Sequence, residues 1–149
     1  MNPSDDPRVP QGGLSQVRGT TDSALSDSTI HALLASAARR WPQRAAAVFV
    51  EQRLRFTWQQ LHDAVEDAAA GLWVLGVRRG DRMIIMLGNQ VELWELMLAG
   101  IKLGIVMIPT TTLMGPADLK DRVERGGANW AAVGSANIGK FAEVPGDYT

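Results

Sequence analysis

The chain has 149 residues, enough for one ordinary domain with a buried core. Its 46% hydrophobic and 21% charged residues exclude a wholly disordered or fibrous architecture, and 15 basic against 16 acidic side chains leave a formal charge of -1, too little to gather a polyanion such as nucleic acid. The absence of cysteine excludes a disulfide, a thiolate metal site and a thiol nucleophile.

Residues 1–27 are rich in Pro, Gly, Ser, Thr and Asp and read as a mobile leader. Asp5 and Asp6 open it with no apolar run behind a basic start, so no secretory signal is predicted. The most apolar stretches, Met83 to Leu87 and Leu103 to Ile108, are far shorter than the ~20 residues that span a bilayer. These features lead to the expectation of a cytoplasmic protein without a membrane span.

Ser28 or Thr29 can cap a first helix carrying Ile30, Leu33, Leu34 and Ala37, which Pro42 ends. Ala46 to Val50 and Leu54 to Phe56 predict a β-hairpin. Thr57 and Gln60 form a capping box for a long helix with Leu61, Val65, Ala68, Leu72 and Leu75 on one stripe, stopped by Gly76. Beyond the polar turn Arg78 to Asp81, Met83 to Leu87 is apolar at every position, as a strand buried on both faces requires. A helix from Val91 closes at Gly104, and Ile105 to Ile108 predicts a second buried strand. Gly115 and Pro116 open a helix that ends at Gly126 and Gly127, before a strand at Trp130 to Val133. The alternation predicts an α/β fold, a partial parallel sheet with helices on both faces plus the hairpin, over residues 28–134. Residues 135–149 read as a weakly specified tail, with Ala136 to Phe141 a possible helix start. Three parallel strands without a closing element leave sheet edge and face for something else to cover.

The residues themselves suggest little chemistry. His31 and His62 fall on separate helices without a second ligand at metal spacing, and read as ordinary helix histidines. The pairs Glu66 with Asp67 and Glu92 with Glu95 fit solvated helix faces. No strand-to-helix turn carries the clustered glycines of a phosphate loop. Thr110, Thr111 and Thr112 follow a predicted strand where α/β ligands bind, but their hydroxyls also suit capping of the next turn. The five tryptophans suit packing better than base stacking.

The order of short segments resembles the adenylate-forming superfamily. Arg55 to Leu61, with Thr57 and Leu61 at motif positions, is similar to its first core motif. Gly76-Val77-Arg78-Arg79-Gly80-Asp81-Arg82 resembles its Gly-Val-x-x-Gly-Asp turn, and Leu87-Gly88-Asn89 its Leu-x-Asn strand end. Leu98 to Gly104, followed by Ile105 to Pro109, is similar to the second core motif. Pro109 to Leu113, with Asp118, Leu119 and Arg122, is nearest the acyl-CoA synthetases for medium-chain or aryl acids.

The resemblance implies the N-terminal structural part of an AMP-forming acid-CoA ligase, incomplete relative to the family's large N-terminal domain. The parent reaction converts a small carboxylic acid, ATP and coenzyme A to acyl-CoA, AMP and pyrophosphate, with Mg2+ neutralising phosphate charge. The family's phosphate loop, aromatic-Gly-x-Thr-Glu motif, ribose-binding Asp and catalytic Lys are expected downstream, and Lys102, Lys120 and Lys140 match none of them. No catalytic, cofactor-binding or metal-binding residue is therefore assigned, and Thr57, Leu61, Gly76, Gly80, Asp81, Asn89, Gly104 and Pro109 are expected to be structural. The remainder of the synthetase, or a second copy over the exposed sheet, is the expected partner. A non-catalytic partner-binding module and one chain of a split synthetase are the alternatives.

Overall fold

Local capping chemistry sets the helix boundaries in the computed structural model, which describes residues 29–50 and 53–144. Helix α1, Ile30–Arg40, starts where the Thr29 hydroxyl accepts the Ala32 N–H at 3.1 Å. Strands β1, Ala45–Phe49, and β2, Leu54–Thr57, pair antiparallel as a hairpin. Helix α2, Trp58–Leu75, has the full reciprocal box: Thr57 Oγ1 accepts the Gln60 N–H, and Gln60 Oε1 accepts the Thr57 N–H. Gly76 ends it in the left-handed region at φ 105°.

Strand β3, Arg82–Met86, helix α3, Val91–Leu103, strand β4, Val106–Pro109, helix α4, Pro116–Gly126, and strand β5, Trp130–Val133, then alternate. A short turn at Ser135–Asn137 runs into helix α5, Ile138–Phe141. The three strands are parallel in the order β4-β3-β5. Register pairs Met83 with Met107 on one side and Trp130 on the other.

The period of two along β3 divides the core. Met83 and Ile85 pack with Leu34, Val65, Leu72 and Ala99 under α1, α2 and α3. Ile84 and Met86 pack with Leu119 and Val123 of α4 on the opposite face. Helices thus cover both faces, as the all-apolar β3 predicts.

Strand β4 corrects the expectation of a second buried strand. It lies at the sheet edge, and Val106 is 44% exposed. An apolar run alone does not distinguish a central strand from an edge strand. The weakly patterned tail also packs more firmly than its sequence suggests, since Phe141 and Val144 join the core around α4. The leader read over residues 1–27 and the last five residues lie outside the described residues. No helix among the described residues is long and apolar enough to cross a membrane.

Candidate functional site

The two ends of the parallel sheet hold most of the positions singled out in the sequence. At the amino end, Asp81 precedes β3 and its carboxylate accepts three hydrogen bonds: from the Arg78 N–H at 2.7 Å, Asn129 Nδ2 at 3.0 Å and Trp130 Nε1 at 3.0 Å. The Arg78 N–H holds the Asp81 carboxyl below its ordinary range, with further help from Asn129 and Trp130. The Arg82 N–H donates to Asn129 Oδ1 at 2.8 Å, so the start of β3 is tied to the start of β5.

Gly80 and Gly104 meet at the same end. The Gly80 N–H donates to the Gly104 carbonyl at 3.0 Å, and both residues have positive φ, a region that side chains with a Cβ rarely adopt. The Val106 N–H donates to the Asp81 carbonyl at 2.7 Å, which completes the closure onto β4. Gly76 also belongs here, since a Cβ built on it would contact the Trp130 ring at 3.8 Å. The bonds of Asn129 and Trp130 to Asp81 escaped the sequence reading, in which Trp130 was only a strand start and a packing residue. Their only signal was the parallel register, which sets residue 130 opposite residue 83.

At the carboxyl end, Gly88 and Asn89 follow β3, Pro109 and the threonines end β4, and Gly134 follows β5. The Thr110 N–H donates to the Ile85 carbonyl at 2.8 Å and the Gly134 N–H to the Met86 carbonyl at 3.0 Å. Two of the three threonine hydroxyls serve nearby backbone: Thr110 Oγ1 donates to the Ile108 carbonyl, and Thr111 Oγ1 accepts the Leu113 N–H. Lys140 Nζ donates to the Thr112 carbonyl and Arg122 to that of Pro109.

Asn89 and Leu61 share an open cleft of about 570 Å³ between the hairpin and the start of α3, with Phe49, Phe56, Trp94 and Leu98 among its walls. Glu95 lies on α3 as well; burial raises its carboxyl above the ordinary range, and Glu92 adds to the effect.

The two histidines, expected to be separate, come together. Their rings stack at 6.3 Å between α1 and α2, and both Nε2 atoms face Glu66 Oε1, at 3.7 Å from His31 and 3.8 Å from His62. Lys102 of α3 hydrogen-bonds the same carboxylate and is the main cause of its lowered pKa. This junction ties three helices, and no group of three His, Cys, Asp or Glu among the described residues could hold a metal ion. Glu66, read in the sequence as an ordinary solvated helix residue, is thus a link between elements.

Residues 34–144 match the family model described as AMP-binding enzyme. The mitochondrial medium-chain acyl-CoA ligase of Rattus norvegicus is 35% identical over 113 residues, which cover 75% of this chain and 18% of that protein. A fatty acyl CoA synthetase of Mycobacterium tuberculosis superposes with a TM-score of 0.75 at 25% identity, over 80% of this chain and 25% of that one. The N-terminal domain of FACL13 from the same organism gives a TM-score of 0.75 at 26% identity, over 82% of this chain and 33% of that one. The chain therefore spans less than a fifth of the length of the curated relative.

Proposed function

Because the chain belongs to the AMP-binding enzyme family, we propose that it serves as the N-terminal structural part of an AMP-forming acid-CoA ligase and has no activity alone. In the whole enzyme a substrate carboxylate attacks ATP, an acyl-adenylate forms and pyrophosphate leaves. The coenzyme A thiol then attacks the acyl carbon, a thioester forms and AMP departs. A medium-chain acid is the substrate class suggested by the relative's name, and the protein is expected to work in the cytoplasm.

The observation that carries this reading is the occupation of the motif residues by folding tasks. The Asp81 carboxylate is filled by three donors, Thr57 caps a helix, and Gly76, Gly80 and Gly104 shape turns. No group of three His, Cys, Asp or Glu among the described residues is placed to hold Mg2+. The Thr110 and Thr111 hydroxyls bond to nearby backbone, and the Glu66 carboxylate is held by Lys102. No step of the reaction is therefore routed through this chain. Its contribution is a rigid sheet whose carboxyl end can support the rest of the enzyme.

Pyrophosphate release from ATP, Mg2+, coenzyme A and a series of medium-chain and aryl acids tests this. The chain alone should give the rate of the enzyme-free blank, and acid-dependent turnover by the chain alone would refute the proposal.

A further inference from the structure

A groove where α1 meets the hairpin is used by none of the roles above. Trp41, Arg44, Arg55 and Trp58 are among its walls, and its volume is about 580 Å³. Backbone bonds fix the turn that shapes it: the Arg44 N–H donates to the Trp41 carbonyl at 3.0 Å, the Trp58 N–H to the Arg44 carbonyl at 3.0 Å and the Gln59 N–H to the Pro42 carbonyl at 3.2 Å. One indole is anchored, since Trp58 also packs against the core. The other, Trp41, is 40% exposed.

Charge and composition point to an occupant. Arg44 and Arg55 are exposed and, like Arg40 beside them, make no ion pair among the described residues. Apart from Glu51, the chain from Thr29 to His62 holds five arginines and no carboxylate. Residues 1–28 carry the opposite balance, with Asp5, Asp6, Asp22 and Asp27 against Arg8 and Arg18, and Pro3, Pro7 and Pro10 lie on either side of the first two carboxylates. Proline-rich segments favour the extended polyproline helix, which aromatic-lined grooves bind at low entropic cost. The reach is suitable. Helix α1, with 11 residues, separates Thr29 from the groove by about 16 Å. The 18 residues from Gln11 to Ser28 have an r.m.s. length of about 20–25 Å as a flexible linker, and effective concentration is highest when that length is near the span. We propose that residues 3–10, Pro-Ser-Asp-Asp-Pro-Arg-Val-Pro, dock in this groove of the same chain, with prolines against the two indoles and the Asp5 and Asp6 carboxylates facing Arg44 and Arg55. The inference goes beyond the structural-part reading and does not depend on it.

The test uses the full chain. Because it has no cysteine, Asn2→Cys supplies a single site for a nitroxide spin label next to the segment, and the indole N–H signals of the five tryptophans are read by isotope-edited NMR. The Trp41 and Trp58 signals should be lost with the nitroxide oxidised and return when ascorbate reduces it. Trp73, about 22 Å along α2 from Trp58, should keep most of its signal. Asp5→Lys with Asp6→Lys, which reverses the charge without altering the groove, should restore both lost signals, as should Arg44→Glu at its exposed position. Retention of the Trp41 and Trp58 signals in the oxidised chain, equal loss at all five tryptophans, or no recovery in the Asp5→Lys, Asp6→Lys chain would each overturn the proposal. Signal loss in an isotope-labelled chain mixed with a separate spin-labelled one would assign the segment to a second copy and overturn docking within the chain.

Discussion

The two ends of the sheet are built differently. At the amino end, side chains reach across the strands: Asp81 gathers donors from Arg78, Asn129 and Trp130, and Asn129 returns a bond to the Arg82 N–H. At the carboxyl end the strands are joined chiefly by backbone, and the Thr110 and Thr111 hydroxyls bond within two residues of themselves. The closed end carries the fold, whereas the open end is the one that α/β proteins turn toward ligands. Four of the eight motif residues, Gly76, Gly80, Asp81 and Gly104, sit at the closed end, where they shape turns and bond across the strands.

Substitutions can break or sharpen that contrast. The strand shared by both ends should show the largest effect: Ile84 is fully buried, and Ile84→Ala should cost about 2–5 kcal/mol in denaturant unfolding. Gly100→Ala comes next, because its new Cβ would lie 2.7 Å from Met107 Sδ and 3.1 Å from two Ile105 side-chain atoms; overpacking of this kind costs about 1–3 kcal/mol. Asp81→Asn should lower the thermal midpoint at neutral pH, since its amide nitrogen would face either the Asn129 donor or the Arg78 and Trp130 donors, which share the other oxygen. Thr111→Val, at the other end, removes one exposed hydrogen bond and should stay within about 0.5 kcal/mol of the parent. A Thr111→Val loss as large as that of Asp81→Asn would erase the difference between the ends.

Acid titration sharpens the same contrast. The folded Asp81 has a pKa below its unfolded value of 3.8, so its stabilisation is present above that pH and declines as pH falls through the lower folded value. The unfolding midpoint of the parent should therefore fall more steeply below pH 3.8 than that of Asp81→Asn. Parallel curves for the two proteins would show that the carboxylate does not couple folding to protons.

How much of this was legible in the sequence depends on whether the cause was local. The α2 capping box, the Gly76 and Gly104 stops and the two-faced burial of β3 follow from neighbouring residues, and the structure has them. The edge position of β4 was not legible, because strand order depends on where the β5 register falls. The same limit hid Asn129 and Trp130, which lie 48 and 49 residues from the carboxylate they serve. It also hid the stacking of His31 on His62, since spacing along one helix says nothing about the residue that a neighbouring helix brings alongside.

On the proposed reading this chain supplies structure, and the nucleotide chemistry resides elsewhere in the enzyme. Isothermal calorimetry of ATP with Mg2+ into the chain, with and without medium-chain and aryl acids, addresses it most directly. No saturable heat is expected in either case. Stoichiometric, saturable ATP binding would contradict it and assign nucleotide recognition to the carboxyl end of this sheet.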